Sequence, residues 1–399
     1  MFNGTTYEIF YKNDSGIAHA TSTDGINWTN KTLLLGPTGG TFDAGGIYAS
    51  SALRLLNGTT LLYYGGRDAG NIWRIGSAAD GPISTPTPTP TPLPPVVIIP
   101  GFMASWNKEA ILEGQANPGT PWKILPFVGE YTGLVETLKH LGYTENQNLF
   151  LWPYDWRKSI ATIQTNLDAF ITGTVKPANP GQPINLIGHS LGGLVARAWT
   201  QTGTNQSDVS HLITAGTPNA GAAQSYRAWS AGDLPQENSL LWLGERLILE
   251  LNRRSFATNR ETIRSMLPVV RDLLPLDAFL RRQSDSQLIY PATMSFQNTW
   301  LSDLNTGASP TFSLLDAITG TTFSTINRYV VTNPTWLDTA LGNWTDGKPA
   351  AEETTTEGDN FVTVLRAKLS GDANTSVNQN HKNTIAASDS IDAILNILT

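Results

Sequence analysis

The chain has 399 residues, a net charge of −7, 40% hydrophobic and 15% charged residues, 36 glycines and no cysteine. That length suits two compact units. The acidic balance argues against a phosphate-binding surface and so against nucleic acid as a partner, and the absence of cysteine excludes disulfide frameworks, thiolate metal sites and cysteine nucleophiles.

The low charge and the wealth of Thr, Asn and Gly favour a secreted or cell-surface protein. No stretch reaches the roughly 18 uncharged apolar residues of a membrane helix. Met1 leads directly into strand-like sequence without a basic-then-apolar export signal, so truncation of a longer precursor is one expectation.

In chain order, residues 1–83 read as short strands with internal repetition. NGTTYEIFYKND at Asn3 is echoed by NGTTLLYYGGRD at Asn57, and the STDG at Ser22 by the AADG ending at Gly81. Strand repeats at a period of roughly 50 residues mark β-propeller blades or similar arrays. The segments IAHATSTDGINW (Ile17 to Trp28) and FDAGGIYASSALRL (Phe42 to Leu55) resemble blades of glycosidase-type propellers. About one and a half blades are present, so this region reads as a propeller-like fragment. Asp43 stands where such blades carry an acid, but glycoside hydrolysis needs two facing carboxylates, and a turn or strand-end Asp is the better reading.

Residues 84–95, STPTPTPTPLPP, follow. Alternating prolines remove backbone donors and favour extended polyproline II, so this is a stiff linker. From Val96 to Thr399 strand-like and helix-like runs alternate, the pattern of a mainly parallel sheet with helices on both faces. VVII (Val96 to Ile99) is a buried strand, Tyr131 to Gly142 an amphipathic helix, NLFLW (Asn148 to Trp152) the next strand and Ser159 to Ile171 the next helix. INLIG (Ile184 to Gly188), the helix Leu191 to Gly203 and the strand HLITAG (His211 to Gly216) continue the alternation.

It stops over about 221–326, where helical stretches such as Leu240 to Arg254 and Ile263 to Leu274 read as a cap over the strand ends. RYVV (Arg328 to Val331) is expected to restore the sheet, and Ile385 to Leu398 to form the last helix.

GHSLGG, Gly188 to Gly193, carries the chemistry. A G-x-S-x-G between a buried strand and a helix is a nucleophile elbow, which predicts an α/β-hydrolase fold with Ser190 as nucleophile. A serine hydroxyl needs an imidazole to take its proton and a carboxylate to fix the imidazole tautomer. Of five histidines, His19 belongs to the propeller-like fragment, His140 to a helix end, His189 to the elbow itself and His211 to a strand start. His381, in the polar loop NQNHKNT before the last helix, remains as the base.

The acid should follow the strand after the cap and precede His381, leaving Asp338, Asp346, Asp359 and Asp372 as the main candidates. Asp359 in EGDNFVTV is favoured, with Asp346 second as a plain turn residue. The oxyanion donors are the backbone N–H of Leu191 and, from the loop after VVII, that of Phe102, with Met103 as the alternative.

IIPGFMAS, WPYDWRKS (Trp152 to Ser159), INLIGHSLGG, LITAGTPNAGA (Leu212 to Ala222), EGDNFV and HKN together resemble the lecithin:cholesterol acyltransferase family of lipases and acyltransferases. The family's usual Gly-Asp-Gly-Thr-Val stands here as GDNFV. The resemblance implies Ser190, Asp359 and His381 as a catalytic triad, a cap over the site, and transfer of a fatty acyl group from a glycerolipid to water or an alcohol. Asp155 resembles a recurrent family residue that a buried ion pair with Arg157 explains.

Eight arginines between Arg246 and Arg282 could meet anionic headgroups and bring the cap transiently against a lipid surface, although salt-bridged helix faces account for them better. Neither a cofactor nor a metal site is indicated. The alternatives are a carboxylesterase or thioesterase for non-lipid substrates, or an inactive surface glycan-binding protein.

Overall fold

The computed structural model describes residues 5–39, 42–54, 59–80, 93–234, 253, 258–307, 314–368 and 373–398. The chain divides into two compact units, Met1–Thr91 and Pro92–Thr399. Most of the Pro/Thr-rich run, and the stretch Leu240 to Arg254 apart from Arg253, lie outside the described residues.

In the first unit, β1 (Tyr7–Asn13), β2 (Gly16–Ser22) and β3 (Thr29–Leu35) form one antiparallel sheet. A second sheet comprises β4 (Gly46–Arg54), β5 (Thr60–Arg67) and β6 (Trp73–Ala79). The sequence echo aligns β1 and β2 with β5 and β6, so the two sheets are out of phase by one strand. Ile17, Ile47, Leu62 and Tyr64 make the core. Asp43 is buried and accepts hydrogen bonds from the Thr38 amide, the Thr38 hydroxyl and the Tyr64 hydroxyl. That is a structural role: it ties the loop before β4 to β5.

The second unit is built on a six-stranded sheet of Leu149–Leu151 (β10), Val96–Ile99 (β7), Ile184–His189 (β11), Val209–Ala215 (β12), Leu315–Gly320 (β15) and Ala373–Val377 (β18), in that order and with every pairing parallel. β8 (Ser105–Trp106) and β9 (Lys123–Ile124) form a small ribbon beside β7. Every residue of β7 and β11 is buried, as expected for strands covered on both faces.

Because side chains alternate along a strand, each central strand feeds two cores. Val97, Ile99, Leu186 and Leu212 pack on the side of helices Ile160–Phe170 and Leu191–Thr200. Val96, Ile98, Ile187 and Ile213 pack on the side of helices Thr132–His140 and Ser388–Leu398.

After β12 come helices Ser225–Ala231, Asn259–Met266, Val269–Asp272 and Thr299–Thr306. Residues 263–274, expected as one helical stretch, divide at Pro268, which lacks the amide that would continue the first helix.

The insertion also holds strands. β13 (Leu280–Arg282) and β14 (Leu288–Ile289) belong to a separate sheet ordered β14-β13-β16-β17, with β16 at Thr325–Thr332 and β17 at Lys348–Thr355. RYVV therefore lies in β16 of this second sheet. The central sheet resumes earlier, with β15 at Leu315–Gly320 inside the expected cap bounds of 221–326, and ends with β18 at Ala373–Val377. A β-branched run marks a buried strand without naming its sheet. LDAITG has a weaker strand signature and is held by parallel pairing to β12.

Candidate active site

The connection from β7 runs outward to β10 and then back across to β11, so the strand order reverses between β7 and β11. Such a switch point opens a crevice at the carboxyl ends of the strands. Pro100 and Gly101 follow β7 there, and Ser190 follows β11.

Ser190 has φ 52° and ψ −122°, a sparsely populated conformation for a non-glycine residue. It persists because the turn is fixed on both sides: the Ser190 amide donates to the Ala215 carbonyl at 2.9 Å, and the Gly193 amide to the Ser190 carbonyl at 3.1 Å. The flanking glycines are required sterically. A Cβ at Gly188 would overlap the Gly193 backbone, one at Gly192 the Ile99 carbonyl, and one at Gly193 the Thr217 side chain.

His381 lies in the loop after β18. Its Nε2 is 2.9 Å from Ser190 Oγ and its Nδ1 is 2.8 Å from Asp359 Oδ2. Asp359 is fully buried, and its Oδ1 accepts the Phe361 and Val362 amides at 2.9 and 2.6 Å. The His381 amide donates to the Asp359 carbonyl at 2.6 Å. The carboxylate is packed closely: a Cβ on Gly320 would come within 2.5 Å of Asp359 Cβ, and one on Gly216 within 3.1 Å of Asp359 Oδ2 and 3.2 Å of His381 Nδ1.

The structure thus brings Ser190, His381 and Asp359 into one hydrogen-bonded line. Of the other acids considered, Asp346 accepts from the Ser295 amide and hydroxyl, and Asp338 caps the helix Trp336–Ala340 and pairs with Lys348. Asp372 lies outside the described residues.

Gly101 adjoins the serine, since a Cβ on it would sit 3.1 Å from Ser190 Cβ. Phe102 follows it, and among the described residues neither the Phe102 nor the Leu191 amide donates to a protein acceptor. Met103 takes φ 61° in the same turn.

The WPYDWR segment holds this loop. Tyr154 donates its hydroxyl to the Pro100 carbonyl at 2.7 Å, Trp156 Nε1 donates to the Ser105 carbonyl, and the Phe102 and Trp156 rings meet edge to face. Asp155 forms a two-pronged buried pair with Arg157, whose remaining donors reach the Ala110 and Gln115 carbonyls.

Comparison with protein families matches residues 125–335 to lecithin:cholesterol acyltransferase, more than half of the chain and including the elbow. The chain belongs to the lecithin:cholesterol acyltransferase family. It is an α/β-hydrolase-fold protein of the acyl-ester hydrolase and acyltransferase kind.

Among solved structures, the mature lipase BlEst2 of Bacillus licheniformis is similar at 15% identity, with 78% of this chain and 94% of that chain covered and a TM-score of 0.40. Phospholipase PlaB of Legionella pneumophila is similar at 15% identity over 76% of this chain and 60% of that one, with a TM-score of 0.44. No curated protein sequence matches. The family match lies wholly after the Pro/Thr-rich run, so the propeller-like character of the first unit stands as a resemblance only. Asp359 and His381 lie beyond the matched residues of the lecithin:cholesterol acyltransferase domain.

Two further residues, Tyr131 from outside the motifs and the elbow's own His189, adjoin the site. Tyr131 and His189 are buried beside it and hydrogen-bonded to each other.

Proposed function

We propose that this protein is a serine-dependent acyl-ester hydrolase or O-acyltransferase acting on lipids through an acyl-serine intermediate, with residues 96–399 as the catalytic domain. The observation that carries the reading is the Ser190–His381–Asp359 line at 2.9 and 2.8 Å, starting from a serine on a strained strand-to-helix turn. His381 Nε2 takes the Ser190 proton as Oγ attacks the acyl carbonyl, and Asp359 holds Nδ1–H so that Nε2 is free to accept.

The tetrahedral oxyanion rests on the Leu191 and Phe102 N–H groups. His381 returns the proton to the leaving alcohol. It then deprotonates water or an acceptor alcohol, which attacks the acyl-serine and regenerates Ser190. Lipid as the substrate class is supported by the family.

The reading is tested by hydrolysis of p-nitrophenyl butyrate and palmitate by wild type and Ser190→Ala, with and without a long-chain alcohol. Palmitate hydrolysis that disappears in Ser190→Ala is the expected result, and ester formation with the alcohol identifies a transferase. Preference for butyrate would move the substrate to a general ester, and activity intact in Ser190→Ala would overturn the mechanism.

A further inference from the structure

Around Ser190 runs a second polar chain that the proton-transfer steps do not use. The Gly101 amide donates to Tyr131 Oη at 2.9 Å; Tyr131 Oη lies 3.0 Å from His189 Nδ1; and His189 Nε2 lies 3.0 Å from the His381 backbone carbonyl. Tyr131 and His189 are both buried.

The proton positions follow from these partners. A carbonyl can only accept, so His189 Nε2 carries the hydrogen. A neutral imidazole then offers Nδ1 as an acceptor, and the Tyr131 hydroxyl, already accepting from Gly101, donates to it. The ring stays neutral: burial, and next the nearby His381, push its pKa down to about 3. Burial likewise drives the Tyr131 hydroxyl far above its ordinary range. Every donor in the chain therefore has one acceptor and the direction is unique.

This chain ties together two backbones that both adjoin the nucleophile. Gly101 precedes Phe102, the proposed oxyanion donor, and the His381 carbonyl belongs to the proposed base. The strap passes through His189, next to Ser190 in sequence, and the Lys382–Glu130 pair at 3.6 Å joins the sequence neighbours of His381 and Tyr131 outside it. We infer that Tyr131 and His189 are positioning residues, which set the distance between the oxyanion amide and the His381 ring by strapping both loops to the elbow. This inference rests on the proposed roles of Ser190, His381 and Phe102. A displacement of about 1 Å in such a constellation costs on the order of a hundredfold in rate, so the strap acts on kcat more than on ground-state binding.

The test uses the full chain and p-nitrophenyl butyrate, with kcat expressed per folded molecule after thermal melts. Tyr131→Phe and His189→Leu are each expected to lower kcat about 10- to 100-fold with KM within about twofold. The double variant should lose no more than the worse single one, because both break the same chain. His189→Gln, whose amide can still donate to the His381 carbonyl, should recover part of the loss seen in His189→Leu.

Additive losses, a Gln variant as poor as Leu, or lower melting temperatures with unchanged kcat would overturn the inference. Ser190→Ala run alongside separates the two levels. Its continued activity overturns the nucleophile reading and the strap with it, whereas its inactivity beside a fully active Tyr131→Phe overturns the strap alone.

Discussion

Asp359→Asn tests the orientation of the proposed base, His381, most directly. Oδ1 of Asp359 accepts two backbone amides, from Phe361 and Val362, at 2.9 and 2.6 Å. In the variant the amide oxygen must keep that position, because an NH2 group there would face two donors. The NH2 is then forced toward His381 Nδ1, now 2.8 Å from a carboxylate oxygen.

His381 can meet an NH2 only by presenting a bare Nδ1, which moves its proton to Nε2 and points a donor at Ser190 Oγ. The base is thereby occupied. The expected loss is about 10³- to 10⁴-fold in kcat, equivalent to about 4 to 5.5 kcal/mol of transition-state stabilisation. KM and the melting temperature should change little, since shape and packing are kept. Hydrolysis of p-nitrophenyl butyrate under saturating substrate gives kcat, and Asp346→Asn serves as the control. Asp359→Asn within tenfold of wild type, or Asp346→Asn with an equal loss, would refute the assignment.

Gly320→Ala would set a Cβ 2.5 Å from Asp359 Cβ and against the Gln379 carbonyl; a destabilisation of about 1–3 kcal/mol in urea melts is expected, together with reduced kcat per folded molecule. His189 gives a pH signature. Its folded pKa, down to about 3, lies below its unfolded value, so the unfolded chain binds more protons between the two and stability falls as pH drops below about 6.5. From pH 7.5 to 4.5 the wild type should lose about 3 kcal/mol more than His189→Gln, and equal losses would show that the ring is not held neutral. Asp155→Asn leaves the buried Arg157 guanidinium without its carboxylate and should cost about 3–5 kcal/mol in unfolding free energy; a change below about 1 kcal/mol would remove the pair from the structural account.

Ser190 was legible because the elbow is local: strand, sharp turn and helix follow one another without a break from Ile184 to Thr200, and the glycines that permit the turn are spelled out in order. His381 could be reached by elimination among few histidines, and Asp359 by its Gly-Asp turn, although only the fold brings them together at 2.8 Å. RYVV shows where such reading ends. Burial and β-branching identify a strand, but pairing partners are chosen by tertiary contacts, and Asp316 and Gly320 made the true sheet strand look unlike one. Tyr131 was equally opaque. It stands at the start of an amphipathic helix, where an aromatic reads as core, and its hydrogen bonds to Gly101 and His189 join residues far apart in sequence.

The separation of 191 residues between Ser190 and His381 also has a kinetic consequence. His381 follows β18, whose first four residues are exposed and which, among the described residues, pairs only with β15. Contacts of such long range close late, after the local helices and central strands have formed. A partly refolded chain would hold the serine elbow while lacking the proposed base, and on the proposed mechanism would be inactive. In refolding from urea, far-UV ellipticity should therefore recover ahead of esterase activity, making the docking of the final strand the step that arms the enzyme.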